Sequence, residues 1–125
     1  MITYNYNNET GMLETILSGE INVKDLTEYI LGLSNDKNLP RKLKILTDAT
    51  KGKFSIGVLP KDMVTLVNVN KRSLAQRDFI YDAFILTGAF EIALGMLYRN
   101  LSKTKKYRFN VFSTQEAALD WLNKP

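Results

Sequence analysis

Tyr107-Arg108-Phe109-Asn110-Val111-Phe112-Ser113-Thr114-Gln115-Glu116-Ala117-Ala118-Leu119-Asp120-Trp121-Leu122-Asn123-Lys124-Pro125 reads as a strand running directly into a capped helix. Tyr107, Phe109 and Val111 alternate with Arg108 and Asn110, the period of a half-buried strand. Ser113, followed three residues later by Glu116, fits a capping box in which each side chain accepts from the other residue's free backbone N–H. Ala117, Ala118, Trp121 and Leu122 then form one apolar stripe at helical spacing. A strand meeting a helix this abruptly, at the end of a short chain, argues for an α/β domain. It specifies architecture and is silent on chemistry.

The rest of the chain repeats that grammar. Ile2, Tyr4 and Tyr6 alternate over residues 2–6, and residues 12–21 resume as a second strand after Asn7-Asn8-Glu9-Thr10-Gly11, a β-hairpin. Asn22 is placed to cap a helix carrying Leu26, Tyr29, Ile30 and Leu33 on one face, and Pro40 ends the polar segment that follows it. Leu43-Lys44-Ile45-Leu46 is a short strand expected to stop at Thr47-Asp48-Ala49-Thr50, with a loop over residues 51–58. Pro60 opens a helix marked by Met63, Leu66, Val67 and Asn70, and residues 71–77 form a basic connector. Phe79 to Leu86 is apolar apart from Asp82, as for a strand covered on both faces. Thr87-Gly88 breaks it, and Ala89 to Leu101 is a helix that is apolar nearly all round. The order ββαβαβαβα predicts one α/β domain over residues 1–125, its sheet mixed but mostly parallel, with an N-terminal hairpin and flanking helices.

Composition removes several chemistries. The chain has no cysteine, which excludes disulfides and thiolate sites, and no histidine, which removes the commonest general base and transition-metal ligand. No metal and no cofactor is expected. The longest apolar run, Ala83 to Tyr98, is shorter than a bilayer span, and the first residues lack a secretory signal, so a cytoplasmic bacterial-type protein is expected. Residues 1–40 carry two lysines against six acids, while the remainder carries fifteen basic and seven acidic residues, giving −4 and +8 within the total of +4. An acidic face and a basic face follow from that division.

Gly19-Glu20-Ile21 leading to Asp25-Leu26-Thr27-Glu28-Tyr29-Ile30, the strand Leu43-Lys44-Ile45-Leu46-Thr47-Asp48, and Val111 through Leu122 resemble the SpoIIAA-like branch of the STAS fold, also described as STAS/SEC14-like small bacterial proteins. The resemblance spans nearly the whole chain, but its motifs are structural. In STAS anti-sigma antagonists a serine at the start of the helix after a central strand, usually within Asp-Ser-Ser-Gly, is phosphorylated and switches partner binding. That motif is absent here. Thr50 and Ser55 lie nearby in Leu46 to Ser55, but neither stands where the motif would put it. The resemblance implies a regulatory, partner-binding module without that phosphoswitch. SEC14-like relatives bind lipids, which implies as the alternative an apolar cavity beside the Ala89–Leu101 helix.

Candidate site residues follow from the strand ends. Ligands of open α/β sheets gather outside the carboxyl ends of the strands. Thr47, Asp48, Thr50 and Ser55 after one strand, Thr87 and Gly88 after the next, and Ser113 after the last would form a rim for a small anion or an acidic loop of a partner. The competing reading is that these residues simply cap helices. Asp48 is the best placed acid, yet without a second acid nearby it has little support as a metal ligand. Lys71, Arg72 and Arg77 form a basic patch for a protein partner. The other basic runs are Arg41-Lys42-x-Lys44 and Lys103-x-Lys105-Lys106-Tyr107-Arg108. Nucleic-acid binding wants such charges on one face with aromatic platforms, and Tyr107 alone is no platform, so these runs read as solvated loops and argue against nucleic acid. The all-apolar helix favours deep burial or packing against a second copy of the chain. No paired carboxylates, nucleophile elbow or phosphate-binding glycine loop supports an enzyme. Binding of a protein partner ranks first, carriage of a small apolar or anionic ligand second and catalysis third.

Overall fold

The computed structural model describes residues 1–124, and five strands and four helices follow in the expected order. They are β1 (Ile2–Asn7), β2 (Met12–Ile21), α1 (Val23–Asn35), β3 (Lys42–Phe54), α2 (Pro60–Ser73), β4 (Phe79–Ile85), α3 (Ala89–Ser102), β5 (Tyr107–Phe112) and α4 (Gln115–Leu122), with one 3₁₀ turn at Leu74–Gln76. The sheet order is β1-β2-β3-β4-β5. Only β1 and β2 pair antiparallel; the remaining neighbours are parallel. No helix among the described residues is long and apolar enough to cross a membrane.

Because strand order advances steadily in one direction, right-handed crossovers carry α1, α2 and α3 to the same face. There they enclose the larger core, which includes Leu13, Leu17, Leu43, Ile45, Leu66 and Leu94. The chain leaves β5 toward the opposite face, where α4 packs Ala118 and Leu122 on Met12, Leu46, Ala83 and Ile85. Gly95 lets α3 lie close on the sheet, since a Cβ there would press on Leu86 and Val111. The outer side of α3 leaves Phe90, Met96 and Leu101 exposed, so this helix is not sandwiched between other elements.

Three local expectations change. β3 does not stop near Leu46 but runs to Phe54, because β2 continues alongside it: past an irregularity between Ile16 and Ser18, residues Ser18–Ile21 pair with Lys51–Phe54. Thr47, Asp48 and Thr50 are therefore strand residues. The last helix is capped by Thr114, not Ser113: Thr114 Oγ1 accepts from Ala117 N at 3.2 Å, and the helix begins one residue later than the Ser113–Glu116 spacing suggests. Arg77 does not join Lys71 and Arg72 on the surface. It is only 4% exposed, and its guanidinium donates to Leu33 O at 2.7 Å and Asp36 O at 3.3 Å, at the carboxyl end of α1. These carbonyl oxygens, which also accept the Asp36 and Leu39 N–H groups, and the negative end of the helix dipole hold the cation there.

By contrast, Asn22 caps α1 as expected, in a reciprocal pair with Asp25.

Loss of the Arg77 bridge is expected to destabilise the fold. Arg77→Met should lower the free energy of unfolding by about 2 kcal/mol, the scale of buried hydrogen bonds from a charged donor. Arg77→Lys should recover part of the loss. Urea unfolding followed by circular dichroism measures both.

Candidate functional site

Of the seven residues expected on a carboxyl-end rim, four reach it. Ser55 follows β3 and its hydroxyl donates to Glu20 Oε1 at 3.3 Å. Thr87 and Gly88 link β4 to α3, and Ser113 lies between β5 and α4. The two exits part here: Thr87-Gly88 leads to the face carrying α1–α3, Ser113-Thr114 to the face carrying α4. Such a divergence is where α/β sheets open a crevice. The other three stay within β3. Thr47 is fully buried on the inner face, while Asp48 accepts through Oδ1 from the Thr50 backbone N–H at 2.9 Å and from its hydroxyl at 2.6 Å. Asp48 thus serves a local turn of hydrogen bonds within its own strand.

The helix N-termini facing this rim are already served by the chain itself. Glu91, buried in the first turn of α3, accepts the Phe54 N–H through Oε2 at 3.0 Å and folds back over Gly88. A side chain at residue 88 would collide with that carboxylate, which is why the position is glycine. Asp62 accepts from Leu59 N at 2.7 Å at the start of α2. The Glu91 contact also holds the first turn of α3 against the end of β3. Three apolar side chains stand out in solvent around this junction: Ile56, 96% exposed, Leu59, 45%, and Phe90, 44%. Lys51, Lys53 and Lys61 are exposed beside them in sequence.

A second constellation lies beneath the three helices. On the inner face of the sheet, Thr15, Thr47, Asp82 and Tyr107 come from four successive strands and are all buried. Tyr107 Oη donates to Asp82 Oδ2 at 3.1 Å, and Thr47 Oγ1 approaches Oδ1 at 3.5 Å. The Tyr29 hydroxyl of α1 meets Thr15 Oγ1 at 2.8 Å, and Tyr98 of α3 stands edge-on to Tyr107. Tyr29 is half-exposed along its ring while its hydroxyl is enclosed. Tyr29, Asp82, Tyr98 and Tyr107 border a cavity of about 70 Å³ whose other walls, apart from Asn70, are apolar, among them Leu26, Met63, Leu66 and Phe84. Removal from water pushes the Asp82 carboxyl up to about 7, against the lowering effect of the Tyr107 and Thr47 hydroxyls. Burial likewise raises Tyr29, Tyr98 and Tyr107, so all three keep their protons.

Sequence reasoning left this network out of the site. Its one signal was Asp82, the lone charge in a strand otherwise apolar from Phe79 to Leu86. Nothing local marks the tyrosines, which read as ordinary core aromatics, nor Ile56, an apolar residue in a loop.

No protein-family model matches the sequence, and no curated protein matches it. Among solved structures the chain is similar to a crystal structure of an uncharacterized protein of the DUF3478 family, with a SpoIIAA-like fold, from Shewanella loihica PV-4. The match has a TM-score of 0.58 at 17% identity and covers 98% of this chain and 92% of that one. The fold is thus SpoIIAA-like, as the resemblance implied.

The Asp82 carboxyl has a consequence for stability. An aspartate in the unfolded chain ionises near 3.8, whereas the native one holds its proton to about 7. Between those values the unfolded state binds fewer protons, so stability should fall as pH rises from about 4 to 7, by a few kcal/mol, and level off above. Asp82→Asn should flatten that profile. Chemical denaturation of both proteins at several pH values checks it.

Proposed function

We propose that the protein is a non-enzymatic partner-binding module of the STAS-like type, acting through the rim at the end of β3 and the start of α3. The observation that carries the reading is that Ile56, Leu59 and Phe90 are exposed apolar side chains on segments joined by the Phe54–Glu91 hydrogen bond, with exposed lysines beside them in sequence. Exposed apolar surface rimmed by charge is what protein interfaces use. The lysines suit a partner that presents acidic groups around an apolar contact, and a second copy of the chain could supply it through its own acidic β1–α1 side.

Catalysis has less support. The perturbed carboxyl of Asp82 is enclosed with hydroxyls alone, without a nucleophile or cation beside it. Carriage of a lipid-like ligand would need a cavity of roughly 300 Å³ or more. The cavity beneath the helices, about 70 Å³, takes a few waters.

Affinity capture with tagged protein in cell extract is expected to recover a protein at constant stoichiometry, or a second copy of the chain on cross-linking. Ile56→Glu and Phe90→Glu should each abolish the association with little change in melting temperature, because Ile56 lies in water and Phe90, 44% exposed, stands in the first turn of α3, where an acid suits the helix dipole. Charge reversal at Lys71 and Arg72 tests the α2 patch separately. Retention of the partner by both rim variants would refute the rim as the interface.

A further inference from the structure

Two of the basic runs expected as solvated loops instead place Lys42, Lys44 and Arg108 in strands. There they meet on the outer face of the sheet beside aromatic rings, the arrangement whose absence argued against nucleic acid. Lys44, Tyr81 and Arg108 are direct cross-strand neighbours in one row through β3, β4 and β5, and Lys42 sits opposite Phe79 in the row below. Adjacent strands are about 4.8 Å apart, so the two cations flank Tyr81 at one strand spacing on either side. Phe79 and Tyr81 pack ring to ring at 4.7 Å between centroids, and Trp121 of α4 lies 6.0 Å from Tyr81. The three rings are half-buried, and Lys42 and Arg108 are exposed.

This face stays open because α4 is only 8 residues long. It covers Met12, Leu46, Ala83 and Ile85, and its Trp121 closes one side of the Tyr81 row without roofing it. Among the described residues the charge is also unpaired. The ion pairs formed among the described residues are Lys24–Glu28, Arg41–Asp78 and Lys124–Asp120, so no carboxylate of the described residues lies within 4.0 Å of Lys42, Lys44 or Arg108. The carboxylates Asp78 and Asp120 next to the patch are each paired with a cation of their own.

We infer that this face binds single-stranded nucleic acid, the rings of Tyr81, Phe79 and Trp121 stacking on bases while Lys42, Lys44 and Arg108 hold phosphates. Rings give a base a sequence-tolerant surface, and cations spaced across neighbouring strands follow an extended backbone. A polyanion without bases, such as polyglutamate, would use the cations alone, having no ring face to stack. The binding face is opposite α1–α3 and is separate from the rim proposed for a protein partner.

Trp121 is the only tryptophan in the chain, so its fluorescence reports on this patch. Titration with oligothymidylate and oligouridylate of about twelve nucleotides, at about 50 mM salt, is expected to quench it with a Kd of roughly 10 µM. The logarithm of the affinity should fall with that of salt at a slope of about −2, as for three phosphate contacts on a single strand. Arg108→Glu, at an exposed site, should abolish binding. Tyr81→Ala should weaken it about tenfold. Circular dichroism checks that each variant is folded, and Arg108→Glu decides the matter should Tyr81→Ala not fold. Ile56→Glu on the rim and Lys71→Glu on α2 should leave the titration unchanged. The inference is overturned by absence of saturable quenching, by equal affinity for a duplex or for polyglutamate, or by unchanged binding in Arg108→Glu.

Discussion

Each parallel crossover in this sheet has the same hand, and the strands succeed one another in chain order, so α1, α2 and α3 are forced onto one face. Of the described helices, α4, which follows β5, packs on the other face, and it is short. This asymmetry organises the molecule. One face is deeply covered, and can enclose a carboxyl and three tyrosine hydroxyls. The other is covered in its centre by Ala118 and Leu122 and left partly open where β3, β4 and β5 begin.

The covered face carries a polar seam through an apolar core. A buried carboxyl is costly unless its oxygens find donors, and here Tyr107 and Thr47 provide them without any compensating cation. The outcome is an acid that holds its proton to about neutrality. Since Thr15, Thr47, Asp82 and Tyr107 arrive from four strands, their agreement depends on correct register throughout the parallel sheet. A slip of one residue would send each of them to the opposite face. Glu91 does the same kind of work at the rim, coupling α3 to the end of β3 through one hydrogen bond to Phe54.

Legibility followed the range of the interaction. Asn22 stands directly before the apolar face of α1, so the cap is readable from it alone, and its reciprocal partner Asp25 is only three residues on. Ser113 and Glu116 have the same spacing, but Thr114 is as good a cap, and the chain's angle of approach from β5 selected it. The end of β3 was not readable, because Lys51-Gly52-Lys53 has no strand pattern of its own. It is strand because Ser18–Ile21 lies alongside. Arg77 reads as a surface charge for the same reason: Leu33 and Asp36, whose carbonyls it meets at the end of α1, lie far back in the chain.

Sequence alone determined the αβ class, the number and order of elements, the capped start of α1, and the absence of histidine and cysteine chemistry. These depend on periodicity, capping and composition, which act over a few residues or over none. Tertiary structure alone decided that Asp82 would be enclosed among hydroxyls, that Ser55 and Gly88 would share a rim while Thr47 would not, and that Lys44, Tyr81 and Arg108 would form one row. Neighbours across strands are set by register, and register is a property of the whole packed sheet rather than of any segment within it.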